Sequence, residues 1–275
     1  MESRLSISRA WDETKALIAS DGRLLSVVAL AFIAFPSAIG QFVNPSSGFG
    51  GGTGSPGMAL LTLVIAIVGV VGQLAIIRLA LGPATTVGQA ISGGARRTPV
   101  YLGAAILIIL ALVVLAVPFF GVLAAMGVTF ERGAPPPPPA ATLILIVYGA
   151  IVLFIGTRML VTSPVAMAEQ VGPIAILKRS WALTRGNFWK LLGFILLFLL
   201  AAILALGAVG IAAGLVARLF AGVVEPLSVG ALFVALVAGV ANAVATTLFV
   251  LMISRIYVQL AGAGAAEVTV PSSGA

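Results

Sequence analysis

Six long runs of apolar residues alternate with shorter polar segments along the chain. Each run is close to the roughly 20 residues that an α-helix needs to cross the hydrocarbon core of a bilayer. Stretches such as 104–117 are continuously apolar, whereas strands of a membrane β-barrel alternate apolar and polar residues. The pattern therefore predicts an all-α fold, a polytopic membrane bundle of six transmembrane helices. The predicted spans are residues 24–43, 58–81, 101–126, 140–162, 191–216 and 231–256.

Amphipathic segments precede the first, third and fifth spans. In residues 5–22 and 173–188, apolar side chains recur at steps of three and four residues, and the basic side chains lie off that stripe. This spacing is typical of a helix with one apolar face. Residues 85–98 follow the same design more weakly, because Gly93 and Gly94 disfavour helix. Such helices lie in the membrane interface, so we expect three transmembrane hairpins, each preceded by an interfacial helix.

The three hairpins share enough local sequence to suggest an internal repeat. Residues 9–11 (Arg-Ala-Trp) parallel residues 179–181 (Arg-Ser-Trp), and each even-numbered span ends with an arginine. Internal repeats are common in membrane transporters. The chain is therefore predicted to be a single transmembrane domain, followed by a disordered C-terminal tail. The predicted repeats are roughly 5–82, 83–163 and 164–262, and the tail is 263–275.

Charge is scarce and lies mostly on one side of the spans. Charged residues make up 8% of the chain, against about 25% in soluble domains. All Lys and Arg residues except Arg132 and Arg218 lie before span one, beside the segments joining spans two to three and four to five, or near the end of span six. Because basic loops are retained in the cytoplasm, both termini are predicted to be cytoplasmic. The net charge of +7 then indicates attraction to anionic headgroups, and no nucleic-acid partner is expected.

The residue types that carry most catalysis are missing. There is no Cys and no His, which excludes thiol nucleophiles and removes the commonest general base and metal ligand. None of the eight acidic residues lies within a predicted span, which argues against proton transport through a buried carboxylate. We therefore expect no enzymatic activity, no metal site and no cofactor.

The basic residues at the inner ends of the spans are candidates for binding anionic lipid or another anion. Arg78, Arg158 and Arg255 close the even-numbered spans. The simpler interpretation is that they snorkel to the headgroups and orient the helices. The alternative is a shared site around a pseudo-threefold centre, since Arg binds phosphate in a bidentate way. A denser cluster has the same two interpretations, general adhesion or a specific headgroup site. It consists of Lys178, Arg179, Arg185 and Lys190.

A few polar and small residues interrupt the apolar spans. Gln73, Asn242 and Thr246 are expected to form interhelical polar contacts, as polar residues often do in lipid. Glu169 lies in a connector and is expected to pair with a nearby arginine, Arg158 being one candidate. Small residues permit close helix approach, within the bundle or in a homodimer. They are Gly210, Gly214, Ala235, Gly239 and Ala243.

One stretch of about forty residues resembles a known family. Thr157-Arg158 is followed by Pro164, Glu169 and Gly-Pro at 172–173, and residues 180–189 read Ser-Trp-Ala-Leu-Thr-Arg-Gly-Asn-Phe-Trp. This motif resembles the membrane domain of glycerophosphoryl diester phosphodiesterases and the related YciC-like bacterial inner-membrane proteins. The resemblance implies the membrane module alone, because the phosphodiesterase barrel of that family uses His and metal-binding carboxylates.

These features predict a non-catalytic, multi-pass protein of the bacterial cytoplasmic (inner) membrane that organises or handles anionic envelope lipids. Two alternatives stay open at this point. One is a transporter or permeation module for a small amphiphile or anion, and the other is a membrane anchor or scaffold for a soluble partner. The phospholipid bilayer is the one expected partner. A homodimer or an unidentified soluble protein is the further alternative.

Overall fold

The fold is built entirely from helices in the part of the chain that the structure describes. A computed structural model describes residues 5–43, 56–82, 86–130, 135–222 and 227–268, and no strand occurs in these ranges. Six helical stretches are long and apolar enough to cross a membrane, which confirms the predicted all-α, six-span fold. The elements are α1 (Ile7–Ala29), a π-helical turn (Leu30–Ala34), α2 (Phe35–Val43), α3 (Pro56–Leu81), α4 (Val87–Ala125), α5 (Pro139–Arg158), α6 (Thr162–Ala168), α7 (Pro173–Thr184), α8 (Phe188–Ala221) and α9 (Val229–Val268).

Two of the three expected interfacial helices are not separate elements. The helix that begins at Ile7 continues through the π-helical turn to Val43, and α4 runs unbroken through residues 87–125. Gly22 lacks the positive φ angle that would end a helix, whereas Gly186 has φ +88° and separates α7 from α8. The sequence pattern marked amphipathic stretches correctly as helical, but only α7 is bounded by a helix-ending residue.

The π-helical turn follows from a proline that the sequence shows directly. Pro36 has no N–H group to donate to the carbonyl of residue 32. The backbone widens just before it, so that the Phe35 N–H bonds to the Leu30 carbonyl five residues earlier. Such turns change the direction in which a helix packs. Here the turn lies against both α3 and α9, because a Cβ atom on Gly72 would collide with Phe32 and one on Gly239 would lie 2.6 Å from the Ala34 carbonyl oxygen.

Most buried side chains lie at one end of the bundle, which we call the packed end. It brings together α1 and the π-helical turn, the end of α3, the starts of α4 and α8, the second half of α9, the residues that follow α5, and the short helices α6 and α7. Gly94 permits the closest approach between α4 and α3, since a Cβ atom there would lie 3.0 Å from the backbone of Val71 and Ala75. The fully buried side chains of this end include Ile76, Ile77, Val165, Ile176 and Ile253.

Away from the packed end, α4, α5 and α8 bury little of their surface against the rest of the protein. In α5 the buried residues are Ala141 and Thr157. Val147 of α5 and Leu197 of α8 are exposed. This apolar surface suits contact with lipid chains, which are as apolar as leucine. At the C-terminus, α9 extends to Val268, and the disordered tail expected at 263–275 stays a prediction. The alanines of residues 263–268 favour helix, and residues 269–275 lie outside the described ranges.

Candidate functional site

The three arginines that close the even-numbered spans have different surroundings. Arg78 is exposed, whereas Arg158 and Arg255 are partly buried. The Arg255 Nη2 atom donates a hydrogen bond of 2.8 Å to the Ala80 carbonyl oxygen at the end of α3. In this way Arg255 satisfies one of the carbonyl groups that a helix end leaves without an intrahelical donor. The three arginines share no partner among the described residues, and their shared site stays a prediction.

Aromatic rings surround the Arg158 guanidinium group. Its Cζ atom lies 5.4 Å from the ring centroid of Phe154, 5.3 Å from that of Trp181 and 5.5 Å from that of Phe188. Each distance is within the range in which a cation is attracted to an aromatic face. The Phe154 ring also touches the other two rings, with centroid distances of 5.8 Å to Trp181 and 5.2 Å to Phe188. We call Phe154, Trp181 and Phe188 the ring cluster.

The local sequence explains how three elements deliver these rings to one arginine. Phe154 precedes Arg158 by four residues on α5, so both side chains lie on one face of that helix. Trp181 comes from α7, which starts at Pro173 in the first turn, where proline is well tolerated. Gly186, in the left-handed region, then turns the chain into α8, which begins with Phe188.

Hydroxyl groups of α7 fix the backbone of the same arginine. The Ser180 Oγ atom donates to the Arg158 carbonyl oxygen at 2.9 Å, and Thr184 Oγ1 approaches it at 3.3 Å. Both Ser180 and Thr184 are fully buried. Since the carbonyl at the end of α5 needs a donor, α7 supplies both that donor and a ring for the side chain.

No carboxylate among the described residues pairs with Arg158. Its Nε and Nη1 atoms are enclosed and have no hydrogen-bond partner there. Glu169, expected to pair with an arginine, instead accepts from Arg179 Nε at 2.9 Å and from the Tyr257 hydroxyl at 3.2 Å. The Arg158 guanidinium therefore lies beside aromatic rings without a paired carboxylate among the described residues.

Among the other basic residues at the packed end, Lys190 joins two elements through a hydrogen bond, whereas Lys178 and Arg185 have no ion-pair partner among the described residues. Lys190 Nζ donates to the Leu5 carbonyl oxygen at 3.1 Å, and the Gln259 side chain accepts from the Ser6 N–H at 3.1 Å. These bonds attach the start of α1 to α8 and α9. Lys178 and Arg185 are exposed and form no ion pair with another described residue.

The polar residues predicted inside the spans have unequal roles. Asn242 Nδ2 donates to Ser37 Oγ at 3.2 Å, which joins α9 to α2. Gln73 and Thr246 form no hydrogen bond with another described residue. Among the small residues, Gly239 packs closely, whereas a Cβ atom on Gly210 or Gly214 would meet nothing within 4 Å.

The sequence pattern did not identify the ring cluster as a unit. Trp181 and Phe188 belong to the amphipathic segment 173–188, and Phe154 lies within the fourth predicted span. One signal was available, because Ser180, Trp181, Thr184 and Phe188 all lie in the motif that carries the family resemblance. All four side chains contact Arg158, so this part of the motif serves to surround that arginine. No group of His, Cys, Asp and Glu side chains suited to a metal ion occurs in the described part of the chain.

Comparison with known proteins finds one similarity, and it covers the region that contains Arg158. No curated protein and no solved structure shows significant similarity to the chain. One family model matches residues 139–269, and its description is the membrane domain of glycerophosphoryl diester phosphodiesterase. The match runs from the start of α5 into the end of α9 and contains Arg158 and the ring cluster. It confirms the resemblance predicted from the motif: residues 139–269 are similar to the membrane domain of glycerophosphoryl diester phosphodiesterase, and the matching model describes a membrane domain rather than a catalytic one.

Proposed function

We propose that this protein is a non-catalytic inner-membrane module that binds anionic phospholipids at its packed end, and that this end faces the cytoplasm. The observation that carries the proposal is an excess of unpaired cations on that end. Arg23, Arg78, Arg96, Lys178 and Arg185 are exposed, and none of them forms a salt bridge with a described residue. The described salt bridges are Arg9–Glu13, Lys15–Asp12 and Arg179–Glu169.

The magnitude of the attraction supports a lipid partner. Each basic residue near an anionic leaflet contributes about 1 kcal/mol, so several unpaired cations on one surface produce a marked preference for anionic lipid. Arginines at the ends of apolar helices also reach headgroups without leaving their spans. The family match to a membrane domain supports a role within the bilayer rather than catalysis.

Lipid competition measured by native mass spectrometry tests this proposal. Protein equilibrated with equal amounts of phosphatidylglycerol and phosphatidylcholine is expected to retain mainly phosphatidylglycerol. The double variant Lys178→Gln/Arg185→Gln removes two exposed, unpaired cations of the packed end and should reduce that preference. Arg218→Gln is the matched control, because Arg218 is an exposed arginine in the last turn of α8, away from the packed end. Equal retention of both lipids by the unmodified protein would refute the proposal.

A membrane scaffold is the second candidate, and the packing of the helices favours it over a permeation pathway. The centre of the packed end consists of apolar side chains in contact, including Leu74, Ile77, Leu251 and Ile256. Gly94 brings α4 against the backbone of α3, and Gly239 brings α9 against the backbone of the π-helical turn. Proteoliposomes that release a trapped anionic dye faster than protein-free vesicles would count against the scaffold and favour transport.

A further inference from the structure

The Arg158 guanidinium is surrounded by aromatic rings and has two enclosed nitrogen atoms without a hydrogen-bond partner among the described residues. It stands at the last turn of a membrane-spanning helix, where an uncompensated charge is costly. The surrounding rings offset part of this cost, but its Nε and Nη1 atoms still lack acceptors among the described residues. The one acid nearby in the motif, Glu169, is already bonded to Arg179 and Tyr257. No described residue therefore supplies an anion to this guanidinium. Arg158 is only partly buried, so an anion from outside the described residues can approach the part of the side chain that is not enclosed.

The outer side of the ring cluster is open to the surroundings. Phe154 is 38% exposed and Trp181 42%, and the adjacent Trp189 is 79% exposed. Tryptophan side chains are enriched where membrane helices meet the headgroup layer. The exposed tryptophans beside Arg158 are therefore consistent with a position of this arginine near the headgroup layer.

Apolar surface continues from the ring cluster along the two helices that hold it. Two exposed side chains share a helix face with these rings. Val147 of α5 lies seven residues before Phe154, and Leu199 of α8 lies eleven residues after Phe188. A ligand of this region therefore needs an anionic group for the guanidinium and apolar chains for the helix surfaces. The planar guanidinium fork matches phosphate oxygens better than a lysine ammonium does.

We infer that Arg158 and the ring cluster of Phe154, Trp181 and Phe188 form a site for one membrane phospholipid, with the phosphodiester group at the guanidinium and the acyl chains along α5 and α8. The site reads the phosphate rather than the net charge of the headgroup, so zwitterionic phospholipids bind it as well. It rests on the proposed function only in that the packed end meets phospholipid headgroups. The surface cations supply anionic preference, and Arg158 supplies tight retention of a single molecule.

The test is retention of one lipid by the full chain in detergent, measured by native mass spectrometry after titration with phosphatidylcholine. Arg158→Lys keeps the charge but loses the fork, and the loss of a charge-assisted hydrogen bond should lower retention about tenfold. Trp181→Leu keeps the arginine and removes one ring, which should lower retention about fivefold. Arg218→Lys, the matched control in the last turn of α8, should leave retention unchanged.

Two competing probes distinguish the chemistry and its source. Diacylglycerol has the chains without the phosphate and should not replace the retained lipid. Soluble glycerophosphocholine has the phosphodiester without the chains and should displace it only in large excess. Equal retention of diacylglycerol, or equally ready displacement by glycerophosphocholine, would overturn the phospholipid assignment.

The variants also separate this inference from the proposed function. Arg158→Lys should lower the retention of the single lipid about tenfold while the preference for phosphatidylglycerol persists. Lys178→Gln/Arg185→Gln should lower that preference and leave the retention of the single lipid unchanged. If both Arg158→Lys and Trp181→Leu retain one phosphatidylcholine as tightly as the unmodified protein, the site does not exist. A normal melting temperature of Trp181→Leu shows that any loss of retention in that variant is not caused by unfolding.

Discussion

The buried hydroxyl of Ser180 donates a hydrogen bond to the carbonyl oxygen of Arg158, with 2.9 Å between the two oxygens. The next residue, Trp181, holds its ring 5.3 Å from the Arg158 guanidinium. Consecutive residues of α7 therefore fix the backbone and the side chain of the same arginine. This arrangement makes α7 a brace for the end of α5, and it connects the family motif with the proposed lipid site.

Removal of the Ser180 hydroxyl should destabilise the protein. Ser180→Ala leaves the Arg158 carbonyl with only the longer contact to Thr184, at 3.3 Å, and a lost buried hydrogen bond costs about 1 kcal/mol. We expect a lower melting temperature in detergent by differential scanning fluorimetry. Ser92→Ala is the control, because Ser92 is exposed and bonds only within its own helix. Equal melting temperatures for the two variants would contradict the bracing role.

Close packing at the π-helical turn predicts opposite effects for two glycine substitutions. In Gly239→Ala the new Cβ atom would lie 2.6 Å from the Ala34 carbonyl oxygen, and overpacking of this kind costs about 1–3 kcal/mol. In Gly210→Ala it would meet nothing within 4 Å, so the better helix propensity of alanine should stabilise by up to about 1 kcal/mol. Thermal melting of both variants measures the difference. A loss of stability in Gly210→Ala would indicate that a second copy packs there.

Arg255 should contribute to stability through the end of α3. Its Nη2 atom bonds to the Ala80 carbonyl oxygen at 2.8 Å, and hydrogen bonds to charged groups contribute about 1.5–3 kcal/mol. Arg255→Gln is therefore expected to lower the melting temperature markedly. Arg23→Gln serves for comparison, since Arg23 is exposed and forms no ion pair with a described residue. Equal melting temperatures for the two variants would show that the hydrogen bond from Arg255 to α3 does not contribute to stability.

Six spans with both termini in the cytoplasm predict a definite pattern of reporter activity. Fusions after residues 52 and 135 should report the external side, and fusions after residues 95 and 180 the cytoplasmic side, because the basic segments are retained inside. Paired alkaline phosphatase and fluorescent-protein fusions measure this directly. An inverted result at any of these sites would break the proposed orientation.

The spans were predictable because bilayer thickness imposes one length on every helix. The helix boundaries at the membrane surface were less predictable. Amphipathic periodicity is the same whether a segment lies flat or continues into a span, so residues 5–22 and 85–98 gave no sign that they continue into the spans. Only Gly186, with its positive φ, separates such a segment from the next helix.

The ring cluster was not predictable from periodicity, because its members come from α5, α7 and α8. Trp181 has the spacing of a membrane-facing residue and is exposed, but its packing against a guanidinium could not be read from that spacing. The pairing of Glu169 was predicted in kind, but its partner is Arg179, ten residues along the chain, rather than Arg158. Choosing among several arginines requires the relative positions of α6 and α7, which local sequence does not determine.

The contact between Arg158 and a lipid phosphate can be measured directly by solid-state NMR. Protein labelled with ¹⁵N arginine and reconstituted in phosphatidylcholine should show arginine side-chain signals dephased by ³¹P, and Arg158→Lys should remove one such component. Arg218→Lys provides the control for general headgroup contact. Loss of a strongly dephased component in Arg158→Lys alone would place the phosphate at the ring cluster. An identical dephasing curve for the unmodified protein and Arg158→Lys would show that no lipid phosphate binds there.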